Sequence, residues 1–212
     1  MDKPPTAFER RATASQIPST VSRVVLIGFM GAGKSTVGRR LASAMGWECV
    51  DLDDEIADRE GMEVPEIIRR RGIAVFRAVE SRMGREVLRR RRAVIAVGGG
   101  WPSEPGNMDL LGKGTLSVWL QVSPETALRR LARSRAPRPL LGSPDPLAQA
   151  ESLLAARSAH YRRAALAVDT EGHSPHDVAA RILELLRSGG ARAQAAQAGE
   201  GMLAARGRAG EL

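Results

Sequence analysis

The stretch Gly28-Phe29-Met30-Gly31-Ala32-Gly33-Lys34-Ser35 decides the reading of this chain. It satisfies the pattern GxxxxGK[ST] in full, follows the apolar run Val24-Val25-Leu26-Ile27 and opens an amphipathic segment. Glycines at these positions let a backbone curl so that its N–H groups converge on phosphate oxygens, and the new helix adds its positive end. A lysine and a hydroxyl at the end of the loop are what a nucleoside triphosphate and Mg²⁺ require; a plain turn needs neither. Lys34 is one of only three lysines, with Lys3 and Lys113, in a chain of 212 residues.

Working outward, the body alternates short apolar runs with helical patterns. Strands are expected over 24–28, 49–52, 93–97, 116–120 and 166–168, as runs buried on both faces. Helices are expected over 34–45, 53–60, 65–71, 75–90, 124–133, 146–163 and 175–186. Ser123-Pro124 and Ser174-Pro175 each read as an N-cap followed by proline in the first turn. The alternation gives an α/β fold, a five-stranded parallel sheet flanked by helices on both faces. In such sheets ligands sit beyond the carboxyl ends of the strands, so polar residues there are candidates.

After the second strand stands Asp51-Leu52-Asp53-Asp54. Alternation puts Asp51 and Asp53 on one side, where one carboxylate can hold Mg²⁺ through water and the other can accept a substrate hydroxyl. Asp53 or Asp54 would also suit a helix N-cap. The third strand ends in Gly98-Gly99-Gly100, which implies close approach of another group to the backbone. Arg77 precedes Glu80 by three residues, a spacing at which the carboxylate can orient it. Arg157 precedes Tyr161 by four. Arg138 lies in a Pro-flanked segment, Ala136 to Pro146, that reads as a mobile loop.

The formal charge of +8 is carried almost wholly by arginine, which suits nucleic acid, anionic lipid or small oxyanionic ligands. Aromatics at 3% leave few stacking platforms for a single-strand binder. The runs at 69–71 and 89–92 read as solvated helix ends. The lone Cys49 excludes an internal disulfide, fits a reducing compartment and reads as a buried, inert thiol. His160, His173 and His176 show no metal-ligand spacing with it. No apolar run reaches the roughly 20 residues of a membrane span, and residues 1–22 lack a signal-peptide core. Asp2 and Glu9 argue against an organelle transit peptide. Residues 1–22 and 188–212 read as disordered tails around a domain over 23–187.

The motifs in series resemble shikimate kinase: GFMGAGKSTVGRRLA (28–42), DLD (51–53), GMEVPEIIRRRG (61–72), FRAVE (76–80), VGGG (97–100), RPLL (138–141) and R-x-x-x-Y (157–161). The resemblance covers residues 23–187. It implies a nucleoside-monophosphate-kinase-like P-loop fold with a mobile lid at about 133–146, and transfer of the ATP γ-phosphoryl to the 3-hydroxyl of shikimate. By that similarity Gly31, Ala32, Gly33, Lys34, Ser35 and Thr36 wrap the phosphates. Ser35 and, through water, Asp51 hold Mg²⁺. Asp53 takes the ring hydroxyls, Arg77 and Arg157 the carboxylate, and Gly98, Gly99 and Gly100 present backbone N–H groups. Arg138 swings in with the lid to stabilise the transferring group, while Arg130 and Pro175 flank the adenine.

The chain departs from the family pattern at Ile73, where a glutamate is usual, at Trp101-Pro102, where small aliphatics are usual, and at His173, where many members have arginine. The expected partners are ATP and shikimate, with no nucleic acid and no membrane, in a monomeric cytoplasmic enzyme. A kinase of another polyhydroxy acid such as gluconate is the alternative.

Overall fold

The computed structural model describes residues 17–133 and 144–188. Five strands form one parallel sheet: β1 (Arg23–Ile27), β2 (Glu48–Asp51), β3 (Ala93–Ala96), β4 (Thr115–Gln121) and β5 (Leu166–Asp169), in the order β2-β3-β1-β4-β5. Seven α-helices accompany them among the described residues: α1 (Lys34–Met45), α2 (Leu52–Glu60), α3 (Val64–Arg71), α4 (Ile73–Val87), α5 (Pro124–Ala132), α6 (Pro146–Tyr161) and α7 (Pro175–Arg187). Short 3-10 turns occupy Trp101–Ser103 and Met108–Leu110.

Register explains where a ligand can sit. Asp51 pairs with Ala96, Ala96 with Leu26, Leu26 with Val118 and Val118 with Leu166, so all five strands point their carboxyl ends to one side, β4 and β5 running three residues past the ends of β2 and β3. The loop after the central β1, the start of α2, Gly98, and the residues after β4 and β5 therefore emerge on one side. The strand order changes direction at β1, which puts a crevice there.

The interior strands are apolar throughout. Val24 to Ile27 and all of β3 are buried. The outer strands differ from the expectation of burial on both faces: β5 alternates buried with exposed residues, and in β2 only Val50 is buried. An edge strand covered on one side needs only one apolar face. Cys49 lies on the edge strand β2 and is exposed, which corrects the expectation of a buried thiol. Its pKa is nonetheless raised, first by partial desolvation, which disfavours the reactive thiolate.

Helix boundaries follow their caps. Ser123 accepts from Thr126 N, and Ser174 forms a reciprocal capping box with Asp177. Gly72, at φ 85 and ψ 161, separates α3 from α4, so α4 begins at Ile73 rather than at residue 75. At the amino end, residues 17–22, which the sequence assigns to the tail, pack on the body. Ile17 and Val21 touch the core, and Ser22 accepts from Arg92 N at 2.6 Å. The runs of arginine at helix ends pair across the surface: Arg69 with Glu66, Arg71 with Glu60, and Arg90 with both Glu48 and Glu55. Exposed pairs of this kind contribute little stability each. No helix among the described residues is long and apolar enough to cross a membrane.

Candidate active site

A crevice of about 1230 Å³ opens along the carboxyl ends of the strands. Its lining includes Gly31, Ala32, Gly33, Lys34, Ser35, Thr36, Asp51, Asp53, Gly98, Gly99, Arg130 and Pro175, which brings most of the candidate residues into one space. Gly100, Arg77 and Arg157 are not in that lining but adjoin it through the glycine segment. Arg138 and residues 134–143 of the lid expected at about 133–146 fall outside the described residues.

The loop after β1 is shaped by backbone conformation. Gly31 has φ 76, and a β-carbon there would lie 2.7 Å from the carbonyl oxygen of Ala127 on α5. Only glycine meets both demands, and the loop can then press against α5 while its N–H groups turn inward. Lys34 Nζ donates to the Gly28 and Phe29 carbonyls at 2.9 and 3.1 Å, holding the ammonium over the mouth of the loop. Arg130 ties the loop to the end of β5: its guanidinium donates to Gly31 O at 3.3 Å, Thr170 Oγ1 at 2.9 Å and Thr170 O at 2.6 Å. Glu171 accepts from Ser123 N and Thr126 Oγ1, both at 2.7 Å, which holds its carboxyl below the usual range. The loops after β4 and β5 are thereby joined. Sequence reasoning passed over Thr170 and Glu171, although the rule that drew attention to polar residues after each strand points to them too. His173 also lines the crevice.

Across the crevice, Asp51 caps α2 by accepting from Asp53 N at 3.1 Å. The N-cap is therefore Asp51, not Asp53 or Asp54. Asp53 lies in the first helical turn, so a strand-to-helix corner rather than strand alternation brings the two carboxylates to the crevice. Asp54, in the same lining, has its pKa raised by burial and then by the Asp51 charge.

The triple glycine has ordinary backbone angles; none of the three has a positive φ. What it supplies is room. A β-carbon on Gly98 would overlap Glu80 Oε1, one on Gly100 would overlap the Arg77 guanidinium, and one on Gly99 would meet Arg157 Nη1 at 3.6 Å. Two missing side chains thus admit Glu80 and Arg77 from α4, while at Gly99 Arg157 of α6 lies at ordinary contact distance. Arg77 Nη1 donates to Glu80 Oε2 at 2.5 Å, and Glu80 is fully buried. Desolvation pushes the Glu80 carboxyl up to about 7 against the opposing pull of Arg77. Tyr161 Oη donates to Gly99 O at 2.6 Å and, being buried, is pushed up to about 12 despite the nearby Arg157 charge.

Two further residues adjoin this cluster, Glu104, which the sequence does not single out, and Trp101, which it does. Glu104 approaches Arg77 Nε at 3.5 Å. Trp101 is fully buried, with its indole where a β-carbon on Gly84 of α4 would be, so a small residue mid-helix makes room for a large one after the triple glycine. Ile73, the other departure near this side, is 51% exposed at the start of α4 and does not line the crevice.

A family model described as shikimate kinase matches residues 30–187. The shikimate kinase of Moorella thermoacetica is 44% identical over 165 residues, spanning 78% of this chain and 94% of that protein. The shikimate kinase of Halorhodospira halophila is 44% identical over 169 residues, 79% of this chain and 95% of that one. Among solved structures, the shikimate kinase of Acinetobacter baumannii in complex with shikimate superposes with a TM-score of 0.77 at 34% identity, covering 85% of this chain and 98% of that chain. The Aquifex aeolicus shikimate kinase gives 0.69 at 31% identity, covering 80% and 98%.

Proposed function

The chain belongs to the shikimate kinase family, and from that premise we propose how its own residues divide the work of phosphorylating shikimate with ATP. The reaction is an ATP-dependent kinase reaction on a small hydroxy acid, with shikimate rather than gluconate as the acceptor. The 3-hydroxyl oxygen of shikimate attacks the γ-phosphorus, the bond from that phosphorus to the β,γ-bridging oxygen breaks, and ADP leaves with the electron pair.

On the nucleotide side, residues 31–36 wrap the phosphates. Lys34 exchanges its two carbonyl partners for β- and γ-phosphate oxygens, which offer it full charges instead of dipoles. Arg130 and Pro175 flank the base, with His173 beside them. Mg²⁺ suits the donor set here: the Ser35 hydroxyl and the Asp51 carboxylate are hard oxygen donors lining one crevice, Asp51 acting through water. When bound, the ion supplies charge neutralisation on the phosphates.

On the acceptor side, Asp53 accepts the hydrogen bond of the reacting hydroxyl and takes its proton or fixes its direction. Arg77 and Arg157 hold the shikimate carboxylate, and Gly98, Gly99 and Gly100 offer backbone N–H groups. Arg138, outside the described residues, is assigned to stabilise charge on the transferring group. The observation that carries this reading is the glycine segment, where Gly98 and Gly100 leave room for Glu80 and Arg77 and Gly99 lies in contact distance of Arg157, beside the phosphate loop. The domain is taken as 23–187, with residues 17–22 packed on it, in a monomeric cytoplasmic enzyme. That compartment rests on a single cysteine.

Coupled ADP release measured against shikimate, gluconate, quinate and nucleoside monophosphates tests the reading. Turnover is expected with shikimate, and Asp53→Asn is expected to abolish it while ATP still binds. Equal ADP release with and without shikimate overturns the assignment.

A further inference from the structure

Arg77 faces two carboxylates of unlike standing. The inner one, Glu80, is fully buried and accepts at 2.5 Å. The outer one, Glu104, is 32% exposed and lies 3.5 Å from Nε. The first contact has the length of a strong charge-assisted hydrogen bond and fixes where the guanidinium points; the second lies at the limit of hydrogen bonding and acts chiefly through charge. The charges of Asp53 and Glu104 both bear on this corner, raising the Glu80 pKa after burial does and against the opposing pull of Arg77.

Glu104 is partly exposed where Glu80 is fully buried. Its backbone is fixed at the end of the Trp101–Ser103 turn, donating to Trp101 O at 3.2 Å and accepting from Asn107 N at 3.2 Å, with Trp101 anchored against Gly84. Its side chain reaches Arg77 from the partly exposed side. A third carboxylate arriving at Arg77 meets the buried pair already made and, on the partly exposed side, the charge of Glu104.

We propose that Glu104 sets the acceptor affinity: its carboxylate occupies the outer side of the Arg77 guanidinium and yields that place to the carboxylate of the substrate. Shikimate then binds more weakly than Arg77 and Arg157 alone would dictate. The inference rests on the reading that Arg77 holds the substrate carboxylate.

Glu104→Gln keeps the shape and removes the charge. It is expected to lower the KM for shikimate by about three- to tenfold, the scale of one Coulomb interaction in a partly solvated site, with kcat and the KM for ATP held. The gain shrinks as salt rises, and it is absent with the neutral carboxamide analogue of shikimate. Arg77→Lys, which leaves a cation beside Glu80, separates the two layers of the argument. If it leaves shikimate binding unchanged, the reading of Arg77 fails and Glu104 falls with it. If Arg77→Lys weakens binding but Glu104→Gln leaves the KM unchanged or raises it, the Glu104 inference alone is overturned. An equal gain with the carboxamide analogue overturns it too.

Discussion

The two sides of the crevice use glycine for opposite reasons. On the phosphate side, Gly31 takes a positive φ and lets one backbone press on another. On the acceptor side, Gly98 and Gly100 have ordinary backbone angles and make room for two charged side chains from α4. The first kind of site is built by main chain over a few consecutive residues. The second is assembled from side chains on α2, α4, the turn after β3 and α6. Substitutions should therefore act differently on the two sides, and the differences can be measured.

The largest effect is expected at Lys34. Removing its charge by Lys34→Met should lower kcat by about 10³-fold or more, as charged groups on transferring phosphoryls commonly do, while shikimate binding alone persists. Steady-state kinetics with a parallel shikimate titration checks this. Loss of shikimate binding in that variant would blur the division between the sides.

Next comes the buried carboxylate. A Glu80 pKa of about 7 in the folded protein lies above the 4.5 of an exposed glutamate, so the folded state binds the proton more tightly. Its contribution to stability is then fully present below about pH 4.5 and is lost as pH rises through about 7. The loss is on the order of 3 kcal/mol across that window. Chemical denaturation between pH 5 and about 8 should show a downward slope that Glu80→Gln flattens. An unchanged slope would mean that Arg77 neutralises Glu80 more fully than its burial suggests.

A smaller effect is expected at Tyr161. Tyr161→Phe removes one hydrogen bond to Gly99 O and leaves a carbonyl without its partner, costing about 1 kcal/mol. The KM for shikimate should rise a few-fold with the KM for ATP unchanged. A change in the KM for ATP would show that the glycine segment also serves the nucleotide.

The same contrast explains what could be read in advance. The phosphate loop, the five parallel strands and the caps at Ser123 and Ser174 are local: each is written within a few consecutive residues. The Arg77–Glu80 pair was legible for the same reason, being one helical turn apart. Glu104 near Arg77, Thr170 under Arg130 and Trp101 against Gly84 join segments 17 to 40 residues apart, and no short pattern announces them. The edge position of β2, which exposes Cys49, depends on strand order, and order is set by packing of the whole sheet.

The most direct test is a double titration of Gly31→Ala and Gly100→Ala with ATP and with shikimate, read by calorimetry. Gly31→Ala forces an unfavourable φ and a backbone overlap, and should lose ATP binding while keeping shikimate. Gly100→Ala should displace the Arg77 guanidinium, lose shikimate by about tenfold or more, and keep ATP. That crossed pattern is the predicted result. Loss of both ligands in both variants, or of ATP in Gly100→Ala alone, would contradict the account of a crevice built in two independent ways.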